Sequence, residues 1–450
     1  MAAAPSHGPS AGGHRADVCH VLHNDGVTTT EISTLAHLVD QAADGLVGVA
    51  RVTPLQYNER ISSTSGCRVW LKREDLQPVR SYKLRGAYTF ISKLSDGEKQ
   101  AGVICASAGN HGQGVAWACA RLGIKGTVHV PSTTPRQKRD RIRLFGGDHV
   151  RLVVGGDTYD EAARAAQDEA ARTGATMVPA FDDPLIASGQ GTVARELVEQ
   201  LGHAPDVLVV PVGGGGLLSG CGAWMRENHP ETRIVAVEPA GAAGLAAAMD
   251  AGHPVRLDHI DSFVDGAAVA RVGDFTFKIA RQLNPDLIAI PEGQVCTEML
   301  SMYQVDGIIA EPAGALAASA LSVHPMDTTL GIDPSQEIAI IVSGGNNDVS
   351  RYAEVVERSG VHEGRRRYFL VNFPQEPGAL RRFLNEVLGP DDDIIVFDYT
   401  KHSNRDTGPA LVGLELGDPT SFPALWKRLE ASPLSVEVLE PDTAIYRMLV

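Results

Sequence analysis

Paired cysteines, long apolar runs and basic clusters are all missing from this sequence. Its six cysteines, Cys19, Cys67, Cys105, Cys119, Cys221 and Cys296, are scattered. None forms a CxxC or Cys/His pair with zinc-site spacing, so neither a disulfide framework nor a structural zinc is supported. They read as buried small hydrophobes in a reducing compartment. No apolar run approaches the roughly 18 residues of a membrane-spanning helix. The N-terminal stretch lacks a secretory apolar core. A cytoplasmic protein without a membrane partner is expected. Basic residues interleaved with aromatics do not occur, and Arg365-Arg366-Arg367 is a short charge run expected at a solvated strand entry. A net charge of −15 further disfavours nonspecific nucleic-acid binding.

What is present is ordinary for a soluble globular protein: 450 residues, 43% apolar and 21% charged, enough for two or three domains. Residues 1 to about 30 are rich in Ala, Gly, Ser, Pro and His, lack periodicity and are expected to be a disordered tail. A helical pattern runs from about Thr30 to Val47. Strands are expected at Val69–Asp75, Gly102–Ala106, Gly126–Pro131, His149–Val154 and Met177–Ala180. Helices are expected at Val115–Leu122, Pro135–Phe145, Asp157–Arg172 and Ile186–Leu201. The alternation implies an α/β fold whose parallel sheets are covered on both faces, with ligands at the carboxyl ends of the strands.

After about residue 360 the pattern changes. A strand at Arg367–Phe373, a helix at Pro377–Leu388, strands at Ile394–Lys401 and Ala410–Leu416, a helix at Phe422–Ala431 and a last strand in Val436–Leu439 or Ala444–Val450 give a βαββαβ order. This is the ferredoxin-like arrangement, suited to small-molecule sensing or oligomerisation.

Four consecutive glycines, Gly213 to Gly216, interrupt a β-branched run that begins at Asp206; an apolar helical segment, Leu217 to Met225, follows. Strand, side-chain-free turn and helix put several N–H groups at a helix N-terminus, a place for a phosphate. A Walker loop is excluded, because Cys221 follows Gly220 where lysine is required. The Gly-x-Gly-x-x-Gly dinucleotide pattern fails at Leu218 or Ser219, although the strand Ile234 to Glu238 ends in an acid at a ribose-binding distance.

Ser107-Ala108-Gly109-Asn110-His111-Gly112-Gln113-Gly114 is a second strand-to-helix turn, sized for a carboxylate, with ordinary turn chemistry as the alternative. Ser343-Gly344-Gly345-Asn346 is a third. Lys83 follows Ser81, expected as a helix N-cap, and is either a solvated first-turn residue or a cation held against the helix dipole for another purpose.

Together, Ser81-Tyr82-Lys83-Leu84-Arg85-Gly86-Ala87, the Ser107–Gly114 turn, the glycine run, Glu311-Pro312-Ala313-Gly314-Ala315 and Ser343–Asn346 resemble the fold-type II pyridoxal-phosphate enzymes, and among them the threonine dehydratases. The tail, through Phe373–Leu380 and Thr407–Gly413, resembles the ACT-like regulatory domain of the biosynthetic form. The resemblance covers roughly residues 30–450. Tyr82 stands where phenylalanine is usual and Gly112 where alanine is common, and one regulatory unit is present where some relatives carry two.

The resemblance implies a tail at 1–30, a pyridoxal-phosphate-dependent domain at 31–360 and an ACT-like domain at 361–450. It implies that Lys83 carries pyridoxal phosphate and takes the substrate Cα proton. Gly213, Gly214, Gly215, Gly216 and Leu217 would hold the phosphate, Asn110 the ring oxygen, and Ser343 the ring nitrogen. Ser107, Ala108, Gly109, Asn110 and His111 would bind the substrate carboxylate. A serine at the ring nitrogen cannot keep it protonated as an aspartate would, which weakens the electron sink and favours prompt β-elimination.

The implied reaction is deamination of L-threonine, with serine as a further substrate, to a 2-oxo acid and ammonia. Isoleucine and valine are the implied effectors, and a dimer or tetramer the implied assembly. Serine racemases carry serine where Ala108 stands, so racemisation is expected to be minor. A cation site near Glu238 is not expected, because Gly244 lacks the carboxylate some relatives supply. The rival readings are a catabolic serine/threonine dehydratase and, in another class, a nucleotide-binding sensor with no role for Lys83.

Overall fold

The computed structural model describes residues 30–322, 331–399, 406–440, 443 and 446. Fourteen strands occur among them: β1 (Leu55–Tyr57), β2 (Arg68–Arg73), β3 (Val103–Ala106), β4 (Gly126–Val130), β5 (Val150–Val154), β6 (Thr176–Met177), β7 (Val207–Pro211), β8 (Arg233–Pro239), β9 (Asp286–Ile290), β10 (Glu337–Val342), β11 (Arg366–Pro374), β12 (Asp393–Tyr399), β13 (Thr407–Glu415) and β14 (Ser435–Val438). They form a large sheet of order β1-β2-β10-β7-β8-β9, a small sheet of order β5-β4-β3-β6 and a third sheet of order β12-β13-β11-β14.

The large sheet is parallel apart from β1, which runs antiparallel to β2. Its central strands are buried on both faces, as their continuous β-branched runs require. In β7, Val207 and Val209 enter the core on one face, and Leu208 and Val210 the core on the other. In β10, paired in register at Ile338↔Val207 and Ile340↔Val209, Ile338 and Ile340 take the first face and Ala339 and Ile341 the second. Each of these valine, leucine and isoleucine side chains contributes about 1.5–3 kcal/mol of burial. The small sheet, wholly parallel, is inserted in the chain between β2 and β7.

The strands end where the small-residue turns begin. The helix Lys83–Ser92 follows β2, the helix Asn110–Leu122 follows β3, the helix Gly216–Asn228 follows β7, and Ser343–Asn346 follow β10. All are carboxyl ends of parallel strands, where ligands sit in α/β folds.

The third sheet is antiparallel throughout, and the β11-to-β14 order is that of the ferredoxin-like fold. Three local expectations change. The helix expected at Pro377–Leu388 begins at Ala379, where Gly378 (φ 91) turns the chain, and widens after Arg382 into a π-helical turn, Phe383–Val387. The strand expected at Met177–Ala180 pairs only at Thr176–Met177. Val178 N–H still reaches the Ile104 carbonyl at 2.9 Å, and Pro179 follows with its ring nitrogen on the outer side of this edge strand, where no ladder bond is needed. The last strand is Ser435–Val438, while the alternative at Ala444–Val450 lies outside the described residues except for Tyr446.

Candidate active site

One cavity of about 780 Å³ has Lys83, Ser107 to His111 and Gly213 to Leu217 in its wall, and of the third turn Asn346 alone. That size suits a cofactor together with a small substrate.

The glycine run is held by its surroundings. A Cβ on Gly214 would lie 2.3 Å from the Phe181 ring, and one on Gly213 2.9 Å from the Ala267 backbone. Gly215 adopts φ 92 and caps the helix Gly216–Asn228 with no side chain. Thr276 Oγ1 donates to the Gly214 carbonyl at 2.7 Å, and Thr276 is not a lining residue. In a trans peptide the N–H points opposite to the carbonyl, so the Gly215 N–H is turned away from Thr276, toward the cavity. Thr276 is itself fixed by Asp182, which accepts from the N–H groups of Asp274, Phe275 and Thr276 at 3.0, 2.9 and 3.1 Å. The loop is a preformed anion cradle at a positive helix end.

Lys83 lies partly buried across the cavity, and its Nζ donates to the Ala180 carbonyl at 3.1 Å. Burial lowers its ammonium to about 8, against the opposing pull of Glu311. The expected Ser81 N-cap is displaced by one residue: Tyr82 occupies the cap position, and Ser81 Oγ accepts from the Lys83 N–H at 3.3 Å. The sharp bridge between Ser81 and Gly344 leaves no room for an earlier helix start.

Gly109 caps the helix Asn110–Leu122 without a side-chain bond, and the first-turn residues Asn110 and His111 line the cavity. Ser107 and Ala108 stand beside them, partly buried. Asn110 Nδ2 donates to Glu311 Oε1 at 2.5 Å, and its Oδ1 accepts from Asn346 Nδ2 at 2.6 Å. Burial, reinforced by the charge of Asp265, pushes the Glu311 carboxyl up to about 7.

Two expected residues sit differently. His111 is buried, and its Nε2 meets the Val178 carbonyl at 3.0 Å. Burial, followed by the Lys83 charge, lowers it to about 4, so the ring is neutral and offers a substrate carboxylate no cation. Ser343 is buried with its hydroxyl donating to the Ala313 carbonyl at 3.0 Å, and it is not among the lining residues.

The model of the family described as "Pyridoxal-phosphate dependent enzyme" matches residues 47–344. That of the "C-terminal regulatory domain of Threonine dehydratase" matches residues 357–449. The chain is 54% identical to the biosynthetic L-threonine dehydratase of Mycobacterium tuberculosis, over 92% of this chain and 95% of that protein. It is 46% identical to the corresponding protein of Bacillus subtilis, over 88% and 93%. The chain belongs to the biosynthetic threonine dehydratases, a pyridoxal-phosphate dependent family. Among solved structures it is similar to the processed form of threonine deaminase isoform 2 from Solanum lycopersicum (TM-score 0.69, 36% identity, 74% of this chain and 96% of that one). It is also similar to maize serine racemase (TM-score 0.67, 28% identity, 73% and 98%).

The residues present fit the family's cofactor. A glycine loop with no room for a Cβ at Gly213, Gly214 or Gly215, a lysine whose amine burial makes easier to deprotonate, and an amide held by Glu311 and Asn346 line one cavity. Phe181, Asp182 and Thr276, which shape the cradle, carried no signal in the sequence, because each acts from a distant segment. Glu311 and Asn346 stood inside quoted motifs, but their contact with Asn110 required the fold.

Proposed function

We propose that the chain converts L-threonine to 2-oxobutanoate and ammonia, the committed step toward isoleucine, with Lys83 as its acid–base group. The observation that carries this reading is that Lys83 and the glycine loop line one cavity. Lys83 and the Gly213–Leu217 loop would hold pyridoxal phosphate, with Asn110 toward its ring oxygen; Ser343, the residue expected at the ring nitrogen, donates to the Ala313 carbonyl. When bound, that cofactor supplies an electron sink conjugated to the substrate Cα.

The Ser107–His111 turn binds the substrate carboxylate, the Ser107 N–H excepted because it already donates to the His129 carbonyl at 3.1 Å, and orients the Cα–H bond toward Lys83. Lys83 Nζ, neutral once released, takes the Cα proton; a buried amine lowered to about 8 does this near neutral pH at modest cost. The β-hydroxyl then leaves with one proton as water, balancing the proton taken from Cα, and the released enamine is hydrolysed by one water to the 2-oxo acid and ammonia. Ala108 has no side-chain proton to deliver to the opposite face, which keeps racemisation minor.

The regulatory domain, beginning near residue 360 where the helix Tyr352–His362 gives way to β11, binds isoleucine and lowers activity, with valine as a second effector. The protein acts in the cytoplasm as a dimer or tetramer; no helix of the described residues is long and apolar enough to cross a membrane. The deciding assay is 2-oxobutanoate release from L-threonine by the cofactor-loaded protein, with and without isoleucine. Lys83→Ala is expected to abolish both turnover and the visible absorbance of the bound cofactor. A colourless protein that binds a nicotinamide dinucleotide sinks the reading.

A further inference from the structure

We propose that Arg141 is a positioning residue, fixing the side chain of Asn346 and, through it, the amide of Asn110. The inference rests on the reading that Asn110 faces the cofactor. Arg141 lies on the helix Arg136–Gly146, which joins β4 to β5 in the small-sheet half. Asn346 lies beyond β10 of the large sheet. Arg141 Nη1 donates to Asn346 Oδ1 across the cleft between the halves. One turn earlier on the same helix, Lys138 Nζ meets Asp265 Oδ2 of the large half at 2.8 Å, so the helix is clasped at two points.

The direction of each bond follows from what each group can do. A guanidinium only donates, so Asn346 must turn its oxygen toward Arg141. A carbonyl only accepts, and the Val79 carbonyl takes Asn346 Nδ2 at 2.7 Å. With both ends fixed, the Asn346 amino group also meets Asn110 Oδ1, at 2.6 Å. Asn110 is left with its own amino group directed the other way, at Glu311 Oε1. Asn110 and Glu311 both line the cavity, so the relay decides which end of a cavity-wall amide is turned to Glu311 and which to Asn346. The loop carrying Asn346 is braced independently: Gly345 N–H reaches the Arg80 carbonyl at 2.9 Å, and Arg80 Nη2 the Ile309 carbonyl at 3.1 Å. Arg141 can therefore be removed without releasing the loop itself.

Three variants of the cofactor-loaded enzyme test the relay. Arg141→Met removes the donor. Arg141→Lys keeps a donor-only cation. Asn346→Asp keeps the partner of Arg141 and the clasp, but cannot donate to Asn110 or Val79. Arg141→Met is expected to lower kcat about tenfold, the loss of one charge-assisted hydrogen bond, with KM changed far less. It should displace the visible band of the bound cofactor and leave the thermal midpoint within about 2 °C. Arg141→Lys is expected to restore most of kcat and the band position. Asn346→Asp is expected to lose at least as much kcat as Arg141→Met.

Wild-type kcat and spectrum in Arg141→Met overturn the relay, as does an Asn346→Asp enzyme that stays active while Arg141→Met does not. The second result would leave Arg141 as a clasp alone. A wild-type protein with no visible band after loading overturns the cofactor assignment itself, and the relay with it.

Discussion

Replacing Gly215 with alanine tests whether the cradle is as closely built as its geometry indicates. Gly215 sits at φ 92, where an L side chain costs about 1–2 kcal/mol. The added Cβ would also lie 2.9 Å from Thr276 Cβ, inside any real contact distance. Thr276 cannot retreat freely, because Asp182 holds its N–H at 3.1 Å and its own hydroxyl holds the Gly214 carbonyl at 2.7 Å. Overpacking of this kind adds about 1–3 kcal/mol. Both costs are relieved if the Gly214–Gly215 peptide turns over, which breaks the Thr276 bond and takes the Gly215 N–H out of the cradle. The combined 2–5 kcal/mol then emerges as cofactor affinity, roughly 30-fold to several-thousand-fold weaker binding.

The assay is titration of the cofactor-free protein with pyridoxal phosphate, followed by its visible band. Gly123→Ala is the control: its φ of 69 imposes similar strain, but nothing lies within 4 Å of the new Cβ. It should cost about 1 kcal/mol of stability and leave cofactor affinity unchanged. A Gly215→Ala protein that binds the cofactor as tightly as wild type refutes the argument.

Two other substitutions probe buried charge. Arg85, two residues after Lys83, is fully buried and meets Glu74 at 2.8 and 2.9 Å and Glu196 at 2.7 Å; Arg85→Met is expected to lose about 3–5 kcal/mol by urea unfolding, and an unchanged midpoint would contradict this. Glu311 lies at about 7 in the fold against an ordinary 4.5, so between those values the folded state binds more protons than the unfolded one and stability falls as pH rises. Glu311→Gln in the cofactor-free protein should remove that slope, gaining on the order of 3 kcal/mol over wild type between pH 4.5 and 7, and a difference flat with pH would refute it.

Much of the site was legible as local chemistry. Four glycines between a buried strand and a helix pointed to a side-chain-free turn at a helix N-terminus, and the structure places that turn in the cavity wall. The alternation of strands and helices implied parallel sheets, and with them the carboxyl-end placement of Lys83, Asn110 and the glycine run. The ferredoxin-like order of the last 85 or so residues was equally readable from its periodicity. Element ends were less so. Gly378 moved a boundary through a left-handed turn, an effect that acts on a single residue within a longer apolar pattern, and the edge strand expected to reach Ala180 pairs only at Thr176–Met177.

The sequence by itself determined which groups are available: a lysine at a helix start, side-chain-free turns and a carboxylate-sized N–H cluster, all set by residue type and short spacing. Only the tertiary structure decided how those groups behave. Asp182 and Phe181 reach the glycine loop from another segment, Asn346 sets the hand of the Asn110 amide, and enclosure lowers Lys83 while raising Glu311. Those effects depend on distance through space and on exclusion of water, and neither is written in the order of residues along the chain.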